Sequence, residues 1–207
     1  MRGTKHKKGM QLNHKGIPRP GNGSRGTMSA LAVLESVAGI DPARLSPLQR
    51  ILLITDGTLT EILEAHFLEP IELVKLSQQV FVSNADLPAS FVAPGESVLE
   101  RKIKLRGSRS RRVYVYAESL LLVDRLDRQF RAELMESDVP LGRLWHKFRL
   151  ETYKELVSIG CRPAAGLDTC LDCPEDSHVL TRTYDVISAR VRLMRISEYF
   201  CADGPLS

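Results

Sequence analysis

The sequence predicts an α+β fold built on an antiparallel sheet, and two observations carry the prediction. Helical segments cluster in the first third of the chain, and from residue 71 the apolar period changes to the alternation of strands. At 207 residues and 43% apolar content, the chain can bury one sizeable core.

The elements follow in order. Residues 29–37 read as a first helix. A second runs from Ser46-Pro47 through Ile54, with serine as N-cap and proline at the first helical position. The stretch TDGTLTEIL (55–63) opens a third, ending near Phe67 to Pro70, in which Thr58 and Glu61 have capping-box spacing. Residues 71–82, 97–106 and 111–123 are rich in Val, Ile, Leu and Tyr and read as strands, with Gly107-Ser108-Arg109-Ser110 as a hairpin turn. A helix over about 128–135 follows, then a longer one from Pro140, after the cap candidates Ser137 and Asp138. Residues 160–178 form a Cys/Pro/Gly/Asp loop, and strands at about 179–187 and 190–200 close the chain. No internal repeat is present.

Charge divides the chain into a tail and a domain. Residues 1–28 hold seven Lys/Arg and no Asp or Glu, leaving 22 basic against 25 acidic residues in 29–207. The tail lacks the apolar core of a secretory signal and reads as a flexible extension, with Met28 as a candidate true start. A nucleic-acid or membrane-surface arm is the alternative, ranked lower because no aromatic side chains interleave the basic ones. No apolar run approaches the roughly 18 residues of a membrane span. A cytoplasmic location with reduced thiols is the expectation. Cys170 and Cys173 form a C-x2-C, but Cys161 and Cys201 are isolated, so a four-ligand zinc site is disfavoured and no metal is expected.

Two charges point the wrong way. In VLERKIKL, strand alternation puts Arg101 in line with Leu99, Ile103 and Leu105; in RLMRISEYF it puts Glu198 in line with Met194, Ile196 and Phe200. A buried charge is costly unless paired, so the two either form a structural salt bridge with each other or face a ligand in an apolar cavity. Glu118 shares a face with Tyr114, Tyr116, Leu120 and Leu122 and is a third candidate. Helix N-termini carry free N–H groups and partial positive charge, and the starts at Thr58-Leu59 and Pro140-Leu141 are seats for a carboxylate, although capping alone is the commoner role.

These residues carry a resemblance. From about Leu48 to Phe200 the chain is similar to the chorismate pyruvate-lyase family, in its shorter actinobacterial and cyanobacterial-type branch. LLITDGTLTEIL, VLERKIKLRG, YVYAESLLLVDRL, DVPLG before a long helix with ETYKE, YDVIS and ISEYF carry the likeness. The resemblance implies a single α+β domain over 29–207 whose helices cover an internal ligand pocket. It also implies elimination of pyruvate from chorismate to give 4-hydroxybenzoate without metal or organic cofactor. Arg101 would bind the ring carboxylate, helped by the N–H groups of Leu59 and Leu141, and Glu198 would face the 4-hydroxyl end. Glu118 stands where more distant members carry arginine, and the 160–178 loop departs from the family pattern. Products of this reaction feed quinones, phenolic lipids or pigments. The oligomeric state is not legible.

The rival reading is a non-enzymatic sensor of small aromatic acids, since effector domains of some bacterial transcription regulators share the fold. Such a protein would carry a winged helix before the sensor, where this sequence has only the tail and two short helices. A lyase-like protein retuned to another aromatic acid and a structural protein with Arg101 and Glu198 paired are the other readings.

Overall fold

The computed structural model describes residues 29–37, 41–84, 87, 91–167, 170–174 and 176–206, so the expectations for the basic tail lie outside it. Within these residues, six strands form one antiparallel sheet: β1 (Ile71–Val82), β2 (Ser97–Gly107), β3 (Val113–Leu122), β4 (Tyr153–Pro163), β5 (His178–Ser188) and β6 (Val191–Cys201). Their order across the sheet is β1-β2-β3-β6-β5-β4. Five α-helices accompany them: α1 (Ala30–Glu35), α2 (Pro47–Ile54), α3 (Leu59–Phe67), α4 (Arg128–Glu136) and α5 (Leu141–Phe148).

The helices cover one face of the sheet in two groups. Leu52 of α2 and Leu59 and Leu63 of α3 pack with Leu105, Val115, Leu180 and Phe200. Phe130 and Leu134 of α4 and Leu144 of α5 pack with Leu99, Leu121, Val186 and Met194. On the other face, Ala164, Leu167 and Leu171 cover Tyr116 and Val179, while Phe91 and Val92 cover Val98 and Leu122. The central strands are therefore apolar on both sides.

Local chemistry sets the boundaries. Ser46 and Gln49 form a reciprocal capping box at the start of α2, with Pro47 in the first turn. Leu68 (φ 54°) ends α3 and Arg149 (φ 50°) ends α5, each in the left-handed region without glycine. The β5–β6 hairpin turns at Ala189 and Arg190, both at positive φ, where Asn-Gly would be the usual signal. The turn between β2 and β3 is clamped by Glu69, which accepts from the Arg109 and Ser110 N–H groups, from Ser110 Oγ and from Tyr114 Oη. These donors, those of Ser110 first, hold its carboxyl at about 2.

Two expectations are corrected. The helix from Pro140 stops at Phe148, and Tyr153–Pro163 is an edge strand rather than its continuation. The left-handed Arg149 interrupts the helix, and β4 hides from sequence alternation because most of its side chains face solvent. The thiols are not all reduced: Cys173 and Cys201 are joined in a disulfide, while Cys161 and Cys170 remain thiols. The bridge fastens the segment over the back of the sheet to the end of β6. No group of three metal-ligating side chains occurs among the described residues, and none of their helices is long and apolar enough to cross a membrane.

Candidate active site

Cross-strand pairing turns the inner face into a grid. Arg101, Ser119, Ile196 and Tyr184 form one row across β2, β3, β6 and β5, and Ile103, Ala117, Glu198 and Arg182 form the next. Directly paired residues share a face, so Arg101 and Glu198 point toward the helices from neighbouring rows. Between them, β3 contributes only Ser119 and Ala117. These short side chains leave room for a cavity of about 570 Å³ of space free of protein atoms, mouth included. Arg101, Glu198, Leu59 and Leu141 all line it.

Arg101 is 1% exposed, and its Nε and Nη2 are buried without a hydrogen-bond partner among the described residues. Burial lowers its pKa, opposed by the charge of Asp138. Glu198, 6% exposed, is paired, but not with Arg101. Arg182 Nε donates to Glu198 Oε2, and Tyr184 Oη donates to Oε1 at 2.8 Å. Arg182 is fixed in turn by the carbonyls of Leu52 and Thr55 at the end of α2. Burial, reinforced by the charge of Glu198, raises the Tyr184 pKa well above the usual phenol value, so it is a neutral donor. Arg101 and Glu198 thus form no salt bridge with each other: Glu198 is held by Arg182 and Tyr184, and Arg101 lines the cavity.

Two helix N-termini close over the same space. Neither Thr58 before α3 nor Pro140 before α5 gives a side-chain cap. The capping box expected from Thr58 and Glu61 does not form; both side chains turn to His146, at 3.3 Å and 3.4 Å from its Nε2. The first-turn N–H groups of both helices thus lack a side-chain acceptor where they border the cavity. The two starts nearly touch, and a Cβ on Gly142 would overlap Thr58 Cγ2, so the approach requires glycine.

Glu118 is not brought to this site. Its pairing with Lys102 and Ser197 puts it on the opposite face of the sheet, where it accepts from Tyr116 Oη at 2.7 Å and lies 3.6 Å from Lys102 Nζ. Tyr114, expected beside it, lies at the irregularity where β2 and β3 shift register and stacks on Phe67 of α3 at 4.0 Å.

Two neighbours of the site were missed in the sequence. Arg182 carried the same signal as Arg101, a charge in line with Leu180, Tyr184 and Val186, and strand alternation applied to TRTYDV finds it. Lys154, which lines the cavity from β4, could not be found while its segment read as helix.

Residues 53–203 match the family model described as chorismate pyruvate-lyase Rv2949c-like. The chain belongs to the chorismate pyruvate-lyase Rv2949c-like family. A chorismate pyruvate-lyase from Mycobacterium leprae (strain TN) is 32% identical over 154 residues, 73% of this chain and 72% of that protein. One from Mycobacterium tuberculosis (strain ATCC 25618 / H37Rv) is 29% identical over 157 residues, covering 73% and 78%. Among solved structures, the effector domain of PhnF from Mycobacterium smegmatis superposes with a TM-score of 0.56 at 13% identity, covering 72% of this chain and 91% of that one. That likeness shows a shared fold. The lyase-family match spans every residue that lines the cavity, from Thr58 to Glu198.

Proposed function

We propose that this chain is a chorismate pyruvate-lyase and that the cavity is its ligand pocket. The observation that carries the reading is the buried guanidinium of Arg101, with two nitrogens that have no partner among the described residues, lining one cavity with two uncapped helix starts and a carboxylate whose charge is already neutralised. Such a pocket calls for an anion at one end and a hydrogen-bonding group at the other. Chorismate and 4-hydroxybenzoate have this polarity, with a ring carboxylate opposite a hydroxyl at C4.

In the proposed complex, Arg101 and the N–H groups of Leu59 and Leu141 hold the ring carboxylate. Glu198, kept in place by Arg182 and Tyr184, accepts from the C4 hydroxyl. The ether bond at C3 breaks, the C4 hydrogen leaves, and the departing enolpyruvyl group gains a proton to become pyruvate. Gain of the aromatic ring drives the step, so the protein need supply only orientation and charge stabilisation, and restrained geometry contributes up to about 7–11 kcal/mol to such barriers.

The effector-domain fold supports a second reading, in which the same pocket binds an aromatic acid without turning it over. Incubation of the purified chain with chorismate separates the two. The lyase reading expects pyruvate and 4-hydroxybenzoate in equal amounts, above the uncatalysed rate; binding of 4-hydroxybenzoate without turnover of chorismate would favour the sensor.

A further inference from the structure

The cavity adjoins a second one. The second has about 610 Å³ of space free of protein atoms, mouth included, and is bounded by Val33 of α1, Leu53 of α2, Asp56, Arg182 and Tyr184. Lys154 and Tyr184 line both spaces, and Lys154 also borders the outer cleft beside Trp145 and His146. The Lys154 ammonium thus stands at a junction.

Its charge has no committed partner. Among the described residues Lys154 forms no ion pair; Nζ donates to the Gly57 carbonyl at 2.6 Å and lies 5.1 Å from the centroid of the Tyr184 ring. An ammonium has three N–H donors, and the carbonyl takes one. The charged groups that act on it are Glu198 and Arg182, which neutralise each other, and Asp56 on the loop before α3, with the neutral Tyr184 beside it; Arg101 lines the same cavity, and Glu61, His146 and Arg149 line the outer cleft. Burial lowers the Lys154 pKa to about 8, with Glu198 and Asp56 opposing the shift and Arg182 adding to it. At neutral pH the site therefore presents a second cation, mostly protonated.

Chorismate has two carboxylates, one on the ring and one on the enolpyruvyl group, and Arg101 with the two helix starts accounts for one. β2 and β4 are separated by three strands, so the backbones of Arg101 and Lys154 stand roughly 19 Å apart, and the two cations enter the cavity from opposite sides. Resting on the lyase reading, we propose that Lys154 binds the enolpyruvyl carboxylate and thereby selects a dicarboxylate substrate over the monocarboxylate product.

The Lys154→Met variant of the full chain tests this. The expected result is a KM for chorismate at least tenfold higher, with the Kd of 4-hydroxybenzoate within twofold of the wild type; Lys154→Arg, which keeps the charge, should recover most of the KM. In the wild type, the KM for chorismate should rise as pH passes about 8 and Lys154 loses its proton, a rise absent in Lys154→Met. Equal weakening toward both ligands would overturn the proposal, because Lys154 would then only hold the 55–58 loop through Gly57. Should the wild type release no pyruvate, the lyase reading falls alone, and calorimetry with chorismate decides the lysine: tenfold weaker binding in the variant, with 4-hydroxybenzoate unaffected, supports it, and unchanged binding overturns it. Failure of the wild type to bind either ligand overturns both.

Discussion

Arg101 and Glu198 are both buried charges, yet the structure predicts opposite consequences for removing them. Arg101 has two nitrogens sequestered without partners, a cost the unliganded fold bears. Arg101→Met should therefore stabilise the unliganded protein, by about 1–3 kcal/mol in thermal or urea unfolding. A loss of stability would mean that the guanidinium already has a partner. Glu198→Gln leaves Arg182 buried and uncompensated, which should cost about 3–5 kcal/mol. If the folded fraction is assayed, turnover should fall far more than affinity for 4-hydroxybenzoate; equal small losses in both would remove Glu198 from the chemistry. The inward direction of both side chains was legible, because a charge in a row of aliphatics needs only the two-residue period of a strand. Their partners were not legible. Pairing across the β5–β6 hairpin gives Glu198 to Arg182, and that register is set by the Ala189-Arg190 turn and the irregularity between Val186 and Ile187, neither of which carries a recognisable sequence signal.

At the scale of elements, the site depends on two helix starts meeting over a gap in the sheet. Gly142→Ala should push Thr58 and the first turn of α3 away from α5, raising the KM for chorismate roughly tenfold, about 1.4 kcal/mol, with a smaller effect on stability. Thr58→Ser removes the methyl group that the new Cβ would strike, so the double variant should recover; failure to recover would place the effect elsewhere. Sequence located both starts from Thr58-Leu59 and Pro140-Leu141 but misread one detail. TLTE has capping-box spacing, yet Glu61 and Thr58 face His146 on α5, a tertiary contact that outweighs the local one. The same limit explains β4. Its exposed edge position weakens the apolar alternation, and the helix before it ends at Arg149 without a glycine to mark the stop. The Ala189-Arg190 turn likewise lacks its usual residues, so the strands on either side had to be recognised from their own alternation.

For the whole molecule, the antiparallel sheet and the helix-covered face followed from the order of periods along the chain, whereas the cover on the back face did not. Ala164, Leu167 and Leu171 of the loop after β4 pack on Tyr116 and Val179, and Cys173–Cys201 ties it down, a pairing that spacing alone does not select. With the two cysteines 28 positions apart, their replacement by serine should lower stability by about 3–4 kcal/mol, read as a shift in the urea midpoint. The helix-side pocket should still bind 4-hydroxybenzoate in that variant, since none of its lining belongs to the loop. Glu69 sets the acid limit of the hairpin. Its carboxyl lies at about 2 when folded, below its ordinary value of 4.5, so its contribution is present above about 4.5 and is lost as pH falls toward 2. Glu69→Gln should flatten stability across that interval, and an unchanged acid profile would count against the clamp.

All these scales meet in one claim, that the buried guanidinium of Arg101 is a seat kept open for a carboxylate. Isothermal titration of 4-hydroxybenzoate into the wild type and into Arg101→Met measures it most directly. One-to-one binding to the wild type and at least a hundredfold loss in the variant are expected, even as the variant becomes harder to unfold. Equal affinity in the two proteins would contradict it.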